Sequence, residues 1–160
     1  MNARRVLGGM ARSLLGIAGI VLLMLGLMKL GNIDSFMDAV EAHELLPQWS
    51  VQGVVWFTPF AEVFLGGAIL WAITTSTRAS AFASLALSFF LLSMTVYAAG
   101  LWISPPPEPT SCGCMPSAAV VDSWRSVTLR NGSLTSIAAI IAMVLIGISV
   151  KPARPAPVRV

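Results

Sequence analysis

The sequence predicts an all-α membrane protein, a bundle of four transmembrane helices with two short interfacial helices on its outer face. Two observations carry that expectation. Apolar residues make up 56% of the chain and charged residues only 11%, whereas soluble domains carry roughly a quarter of their residues as charges. The apolar residues are also gathered into four runs, each near the roughly 20 residues that cross a bilayer. At 160 residues, the chain suits one compact helical unit with little left for a separate soluble domain. The net charge of +3 does not point to nucleic acid, because the basic residues sit at the ends of apolar runs rather than on a patch.

Residues 1–12 form a basic N-terminal segment with Arg4, Arg5 and Arg12 and no acid. The four-helix membrane domain is expected over 13–150, with spans at about 13–31, 51–73, 80–103 and 133–150. The first run is too long for a signal-peptide core, and no Ala-x-Ala-like site follows it. Gly16, Gly19 and Gly26 give it a small-residue packing side. Between the first two spans, Ile33, Phe36, Met37 and Val40 recur at helical spacing among Asp34, Asp38, Glu41 and Glu44. That pattern predicts an amphipathic helix lying on the membrane surface and stopping before Pro47.

The second span holds Pro59 and Glu62, and a tight turn at Thr74–Thr77 with Arg78 follows it. Along the third span, Ser84, Ser88, Thr95 and Ala99 make a small, weakly polar stripe suited to close helix contact. The long loop after it carries a proline run and the only two cysteines, in Ser111-Cys112-Gly113-Cys114-Met115-Pro116. Its second half, 118–130, sets Val120, Val121, Trp124 and Val127 against Asp122, Arg125, Ser126 and Arg130, which predicts the second surface helix. Residues 151–160 are basic and proline-rich and are expected to form a disordered tail.

Charge asymmetry gives an orientation. The N-terminal segment, the turn at Arg78 and the tail hold Arg4, Arg5, Arg12, Arg78, Lys151, Arg154 and Arg159 with no acid. The other two loops hold Asp34, Asp38, Glu41, Glu44, Glu108 and Asp122 against Arg125 and Arg130. The positive-inside rule therefore puts both termini in the cytoplasm and the cysteine loop on the periplasmic or extracellular face of the cytoplasmic (inner) membrane. Trp49, Trp56, Trp102 and Trp124 then fall at the outer boundary and Trp71 at the inner one, as an aromatic belt requires. On that side disulfides form and persist.

Cys112 and Cys114 are the candidate catalytic residues. A disulfide between residues so close closes a very small ring, and departures from relaxed geometry ease its reduction. Gly113 gives the backbone the freedom such a ring needs. A structural disulfide gains its stability by closing a long loop, and this one would close almost none. Redox exchange thus fits the spacing better than a static staple. Arg125 or Arg130 would favour the thiolate if the loop folds back on them.

Zinc wants four ligands, and the chain offers two cysteines, one histidine and scattered carboxylates, so no metal site is expected. Cys112, Cys114 and Met115 would make only a fragment of a soft copper site. His43 reads as a solvated residue on the first surface helix. Glu62 lies inside an apolar run, and Lys29 is the basic residue within another. Intramembrane charges are costly, and a Lys29–Glu62 pair would relieve both. Pro59, one turn before Glu62, frees the carbonyl of Val55. A polar pocket here, beneath the cysteine loop, could pass protons or hold a quinone-like head group.

Three blocks carry a resemblance. The first is Gly26-Leu27-Met28-Lys29-Leu30 with the acidic helix ending in Leu45-Leu46-Pro47. The second is Pro59-Phe60-Ala61-Glu62-Val63-Phe64-Leu65-Gly66-Gly67. The third is Cys112-Gly113-Cys114, then Trp124 and Arg130-Asn131 leading into the last span. In their order and spacing, from about Leu14 to Ile148, they resemble the DoxX-like membrane proteins and in particular the methylamine utilisation protein MauE family. The resemblance implies a four-helix membrane bundle and a part in redox maturation of a disulfide-rich partner, as in methylamine metabolism, where the partner is the small subunit of methylamine dehydrogenase. It implies supporting roles for Gly113, Lys29, Pro59, Glu62, Arg130 and Asn131. Where the family continues Cys-Gly-Cys with Phe-Gly, this chain has Met115-Pro116.

The leading expectation is a membrane thiol–disulfide oxidoreductase that works on a periplasmic thiol or disulfide protein or a thioredoxin-like partner, with a quinone as a conceivable cofactor. A non-enzymatic assembly factor and a copper-handling module are the alternatives.

Overall fold

The computed structural model describes residues 3–107, 110–111 and 123–150, without the side chain of Arg4. The Cys112–Cys114 pair with Gly113, the 118–122 part of the expected second surface helix, Glu108, Asp122 and the 151–160 tail all lie outside the described residues.

The described residues form five helices: α1 (Ala3–Gly31), α2 (Ile33–Ala42), α3 (Gln48–Thr75), α4 (Thr77–Ile103) and α5 (Trp124–Ser149). Four of them, all but α2, are long and apolar enough to cross a membrane. Their outward side chains agree with a lipid surround: Ile17, Met24, Phe64, Phe82, Phe89 and Met143 are all more than half exposed.

Each helix starts and stops for a local reason. The chain leaves α1 through Gly31 and Asn32, where the Asn32 Nδ2 donates to the Met28 carbonyl at 3.0 Å and caps the end. α2 buries Phe36 and Val40 and exposes its acids. Glu44 then turns the chain with a left-handed φ of 51°, and Pro47 begins α3, its fixed φ suiting the position before a first turn. α3 continues through Pro59 without interruption. Ser76 alone separates α3 from α4, and its hydroxyl accepts from the Ala79 backbone N–H at 3.1 Å as an N-cap.

α1 packs on α3 and α4 packs on α5, and these two antiparallel pairs meet through α3 against α4 and α1 against α5. Small residues let the first pair come close. Gly16, Gly19 and Gly26 all face α3, and a Cβ on Gly66 would lie 2.7 Å from the Gly19 carbonyl oxygen. Along the second pair, the buried Ser84 hydroxyl donates to the Ala138 carbonyl at 2.8 Å, and the Thr95 and Thr135 hydroxyls are 3.2 Å apart. Leu15, Leu22, Ile69, Ala81, Leu87, Ala138 and Leu145 fill the space between.

The structure sets two helix boundaries differently from the sequence reading. Residues expected as a segment before the first span are helical from Ala3, and Arg12 donates from Nη2 to the Ile73 carbonyl at the end of α3. Trp124–Arg130, expected in a separate surface helix, is the beginning of α5. Nothing between Arg130 and Ser133 breaks a helix: Gly132 costs about 1 kcal/mol relative to alanine, which packing against α4 outweighs.

Candidate functional site

Several chemistry-bearing side chains gather at the end of the bundle where α1, α3, α4 and α5 meet α2 and Ser111. Lys29 lies in the last turn of α1 and Glu62 in the middle of α3. Their antiparallel packing over the close glycine contacts brings the Lys29 Nζ onto Glu62 Oε1. The two residues are only 6% and 4% exposed. α2 closes the site from above, with the Phe36 ring centroid 5.1 Å from the Lys29 ammonium, a cation–π distance. The second carboxylate oxygen, Glu62 Oε2, is buried without a hydrogen-bond partner among the described residues.

A cavity of about 430 Å³ opens beside this pair. Lys29, Glu62, Tyr97, Trp124, Arg130 and Asn131 contribute to its lining, and aliphatic side chains and Phe90 supply much of the rest. Of the supporting residues expected from the sequence, Lys29, Glu62, Arg130 and Asn131 are thus brought together around one space. Pro59 is buried one turn away in α3, with its carbonyl against Gly26.

His43 is the residue that sequence reasoning misplaced. It is 2% exposed rather than solvated. The amphipathic pattern of α2 ends one residue before it, and the turn at Glu44 directs the chain back over α4, where Leu45 packs against Gly100. His43 Nε2 lies 2.9 Å from the Ser111 carbonyl, and Nδ1 lies 2.8 Å from the Tyr97 hydroxyl. A carbonyl can only accept, so Nε2 carries the hydrogen and donates. In the neutral ring Nδ1 then accepts from the Tyr97 O–H. The imidazole also meets Trp124 edge to face, with centroids 5.1 Å apart at 89°. Trp124, expected in an aromatic belt, is half-buried and packs against the histidine.

These contacts tie Ser111, the residue before Cys112, to the floor of the bundle. One signal in the sequence could have exposed them. Tyr97 is the only tyrosine and His43 the only histidine, and a phenol within an apolar span needs a hydrogen-bond partner.

His43→Phe tests the latch. The ring can stay against Trp124 while both hydrogen bonds are lost, and stability is expected to fall by about 1–3 kcal/mol. Thermal unfolding in detergent gives the loss, and limited proteolysis should cut faster within residues 104–123. Unchanged melting and unchanged cleavage would show that the two hydrogen bonds hold nothing.

Among the described residues, no three His, Cys, Asp or Glu side chains converge as a metal site. Compared with known families, residues 8–145 match the one described as Methylamine utilisation protein MauE. No curated protein and no solved structure matches the chain.

Proposed function

The chain belongs to the methylamine utilisation protein MauE family, and on that footing we propose that it is a membrane thiol–disulfide oxidoreductase that forms disulfides in a partner protein. The family's description connects this role with methylamine utilisation. Cys112 and Cys114 carry the exchange from the outer face of the cytoplasmic membrane, with both termini in the cytoplasm. The acidic residues of α2 at the loop end and the basic residues at the opposite end support that orientation.

The chemistry balances as a two-step exchange. A thiolate of the partner attacks one sulfur of the Cys112–Cys114 disulfide, forming a mixed disulfide and releasing the other cysteine as a thiolate. The partner's second thiolate then displaces the bound cysteine. The partner leaves with a disulfide, and the pair is left as two thiols. Gly113 permits the close sulfur–sulfur approach, and the tight ring favours transfer of the disulfide over its retention.

The single observation that carries this reading is the anchoring of Ser111 through His43 to Tyr97. A buried histidine thus holds the backbone at the residue that precedes Cys112. Such anchoring is what a reactive pair requires if it is to meet a protein from outside in a fixed position.

The test is to block free thiols rapidly in intact cells carrying Cys112→Ser or Cys114→Ser. At least one variant is expected to accumulate a mixed disulfide with a partner protein, dissolved by reductant, and both are expected to lose disulfide formation in that partner. Capture of no partner together with full activity in both variants would sink the exchange.

A further inference from the structure

We propose that the cavity beside Lys29 and Glu62 binds the head group of an isoprenoid quinone taken laterally from the bilayer, and that this quinone accepts the electrons of the reduced cysteine pair. The electron-accepting role rests on the thiol–disulfide reading above; the binding site stands on its own geometry.

Three features of the cavity select such a ligand. Its volume of about 430 Å³ falls in the range of roughly 300–1,000 Å³ typical of small-molecule sites. Its opening faces lipid: Val21 on α1 and Leu134 on α5 both line it, and they are 48% and 45% exposed on the apolar outside of the bundle. A ligand entering there arrives from the membrane. Against that apolar side, its polar and aromatic lining is Lys29, Glu62, Tyr97, Trp124, Arg130 and Asn131. An amphipathic molecule with a long apolar tail and a compact, uncharged polar ring matches that lining.

The ion pair gives the sharper argument. A buried pair can commonly be replaced by apolar side chains without loss of stability, so stability alone does not account for its presence. Lys29 spends one N–H on Glu62 Oε1, and Glu62 Oε2 is left as a buried acceptor with no partner among the described residues. Together they offer one charged donor and one charged acceptor in the lining of a largely apolar cavity. A quinone carbonyl accepts from the Lys29 ammonium. The hydroquinone formed from it can donate an O–H to Glu62 Oε2. One pair of side chains thus serves both oxidation states.

The cavity is also joined to Ser111, the residue before Cys112, through a short chain of contacts. Tyr97 lines the cavity and is hydrogen-bonded to His43, which is hydrogen-bonded to Ser111. In the coupled reaction two S–H bonds break and one S–S bond forms between Cys112 and Cys114. Two electrons and two protons pass to the quinone, whose two carbonyl oxygens become hydroxyls. This regenerates the disulfide that the partner protein consumes.

The experiment uses the full-length protein, freed of lipid-soluble quinone and placed in phosphatidylcholine nanodiscs. A short-tailed benzoquinone is titrated while tryptophan fluorescence is followed, and its reduction by pre-reduced protein is followed by ultraviolet absorbance. Saturable quenching and one quinol formed per protein are expected. Because Glu62→Gln alone could unfold the chain, the comparison is the double variant Lys29→Met/Glu62→Leu, checked for an unchanged melting temperature. It should bind the quinone at least about 10-fold more weakly, the loss expected for a charge-assisted hydrogen bond.

Equal binding by the double variant, or quenching that never saturates, overturns the site. So does displacement of the quinone by added anionic phospholipid, which would make the cavity a lipid-binding groove. Exchange of the oxidised protein with a dithiol peptide is measured in parallel. If exchange proceeds without quinone binding, the site falls and the exchange reading stands. If quinone binds but no exchange occurs, the exchange reading and the electron-accepting role fall together and the ligand site remains.

Discussion

Glu62→Leu alone is expected to lower stability by about 3–5 kcal/mol, because it leaves the Lys29 ammonium buried without its counter-ion. Lys29 is 6% exposed and covered by Phe36, so it cannot keep its place and reach water. Adding Lys29→Met removes the stranded charge, and the double variant is expected to return to wild-type stability or exceed it. Unfolding of both variants and of Lys29→Met in mixed micelles completes a double-mutant cycle. A coupling energy near zero would mean that the pair is solvated or screened in the membrane-bound protein and that the buried geometry is wrong.

Gly66→Ala is expected to cost about 1–3 kcal/mol or somewhat more, the range for overpacking a close interface. The new Cβ would stand 2.7 Å from the Gly19 carbonyl oxygen and 2.8 Å from the Leu23 backbone nitrogen. Both are backbone atoms of α1, so no rotamer change relieves the clash and the two helices must separate. Gly67→Ala is the internal control. A Cβ there meets nothing within 4 Å, and that variant should be as stable as wild type or slightly more so, since alanine favours the helix. Equal effects at the two positions would remove the argument that α1 and α3 are in backbone contact.

Both predictions concern one interface, and the site depends on it. The approach of α1 to α3 through Gly19, Gly26 and Gly66 is what sets the last turn of α1 beside Glu62. Widening that interface would separate the ion pair and change the cavity it borders. The small residues are therefore part of the site even though they carry no chemistry.

Much of this was legible in the residues. Apolar runs of bilayer length announced four spans, because in hydrocarbon every backbone group must be satisfied within the helix. Gly16, Gly19 and Gly26 marked a packing side, and they do face α3. Lys29 and Glu62 stood out because a charge inside an apolar run demands a partner. The second surface helix failed for a specific reason. Its alternation of Trp124 and Val127 with Arg125 and Arg130 is equally that of a helix packed on one face, and only contact with α4 and His43 shows which holds.

Composition and the order of apolar runs, by themselves, determined that this chain is a four-helix membrane protein and which of its side chains are out of place in lipid. Transfer from water to hydrocarbon is a property of each segment and needs no neighbour. The tertiary structure alone decided what those side chains meet. Lys29 and Glu62 are 33 residues apart, His43 and Tyr97 are 54, and His43 and Ser111 are 68. Hydrogen bonds and ion pairs depend on positions fixed only when helices dock. For that reason His43 could be read as a solvated surface residue until packing set it between Tyr97, Trp124 and the residue that precedes the cysteines.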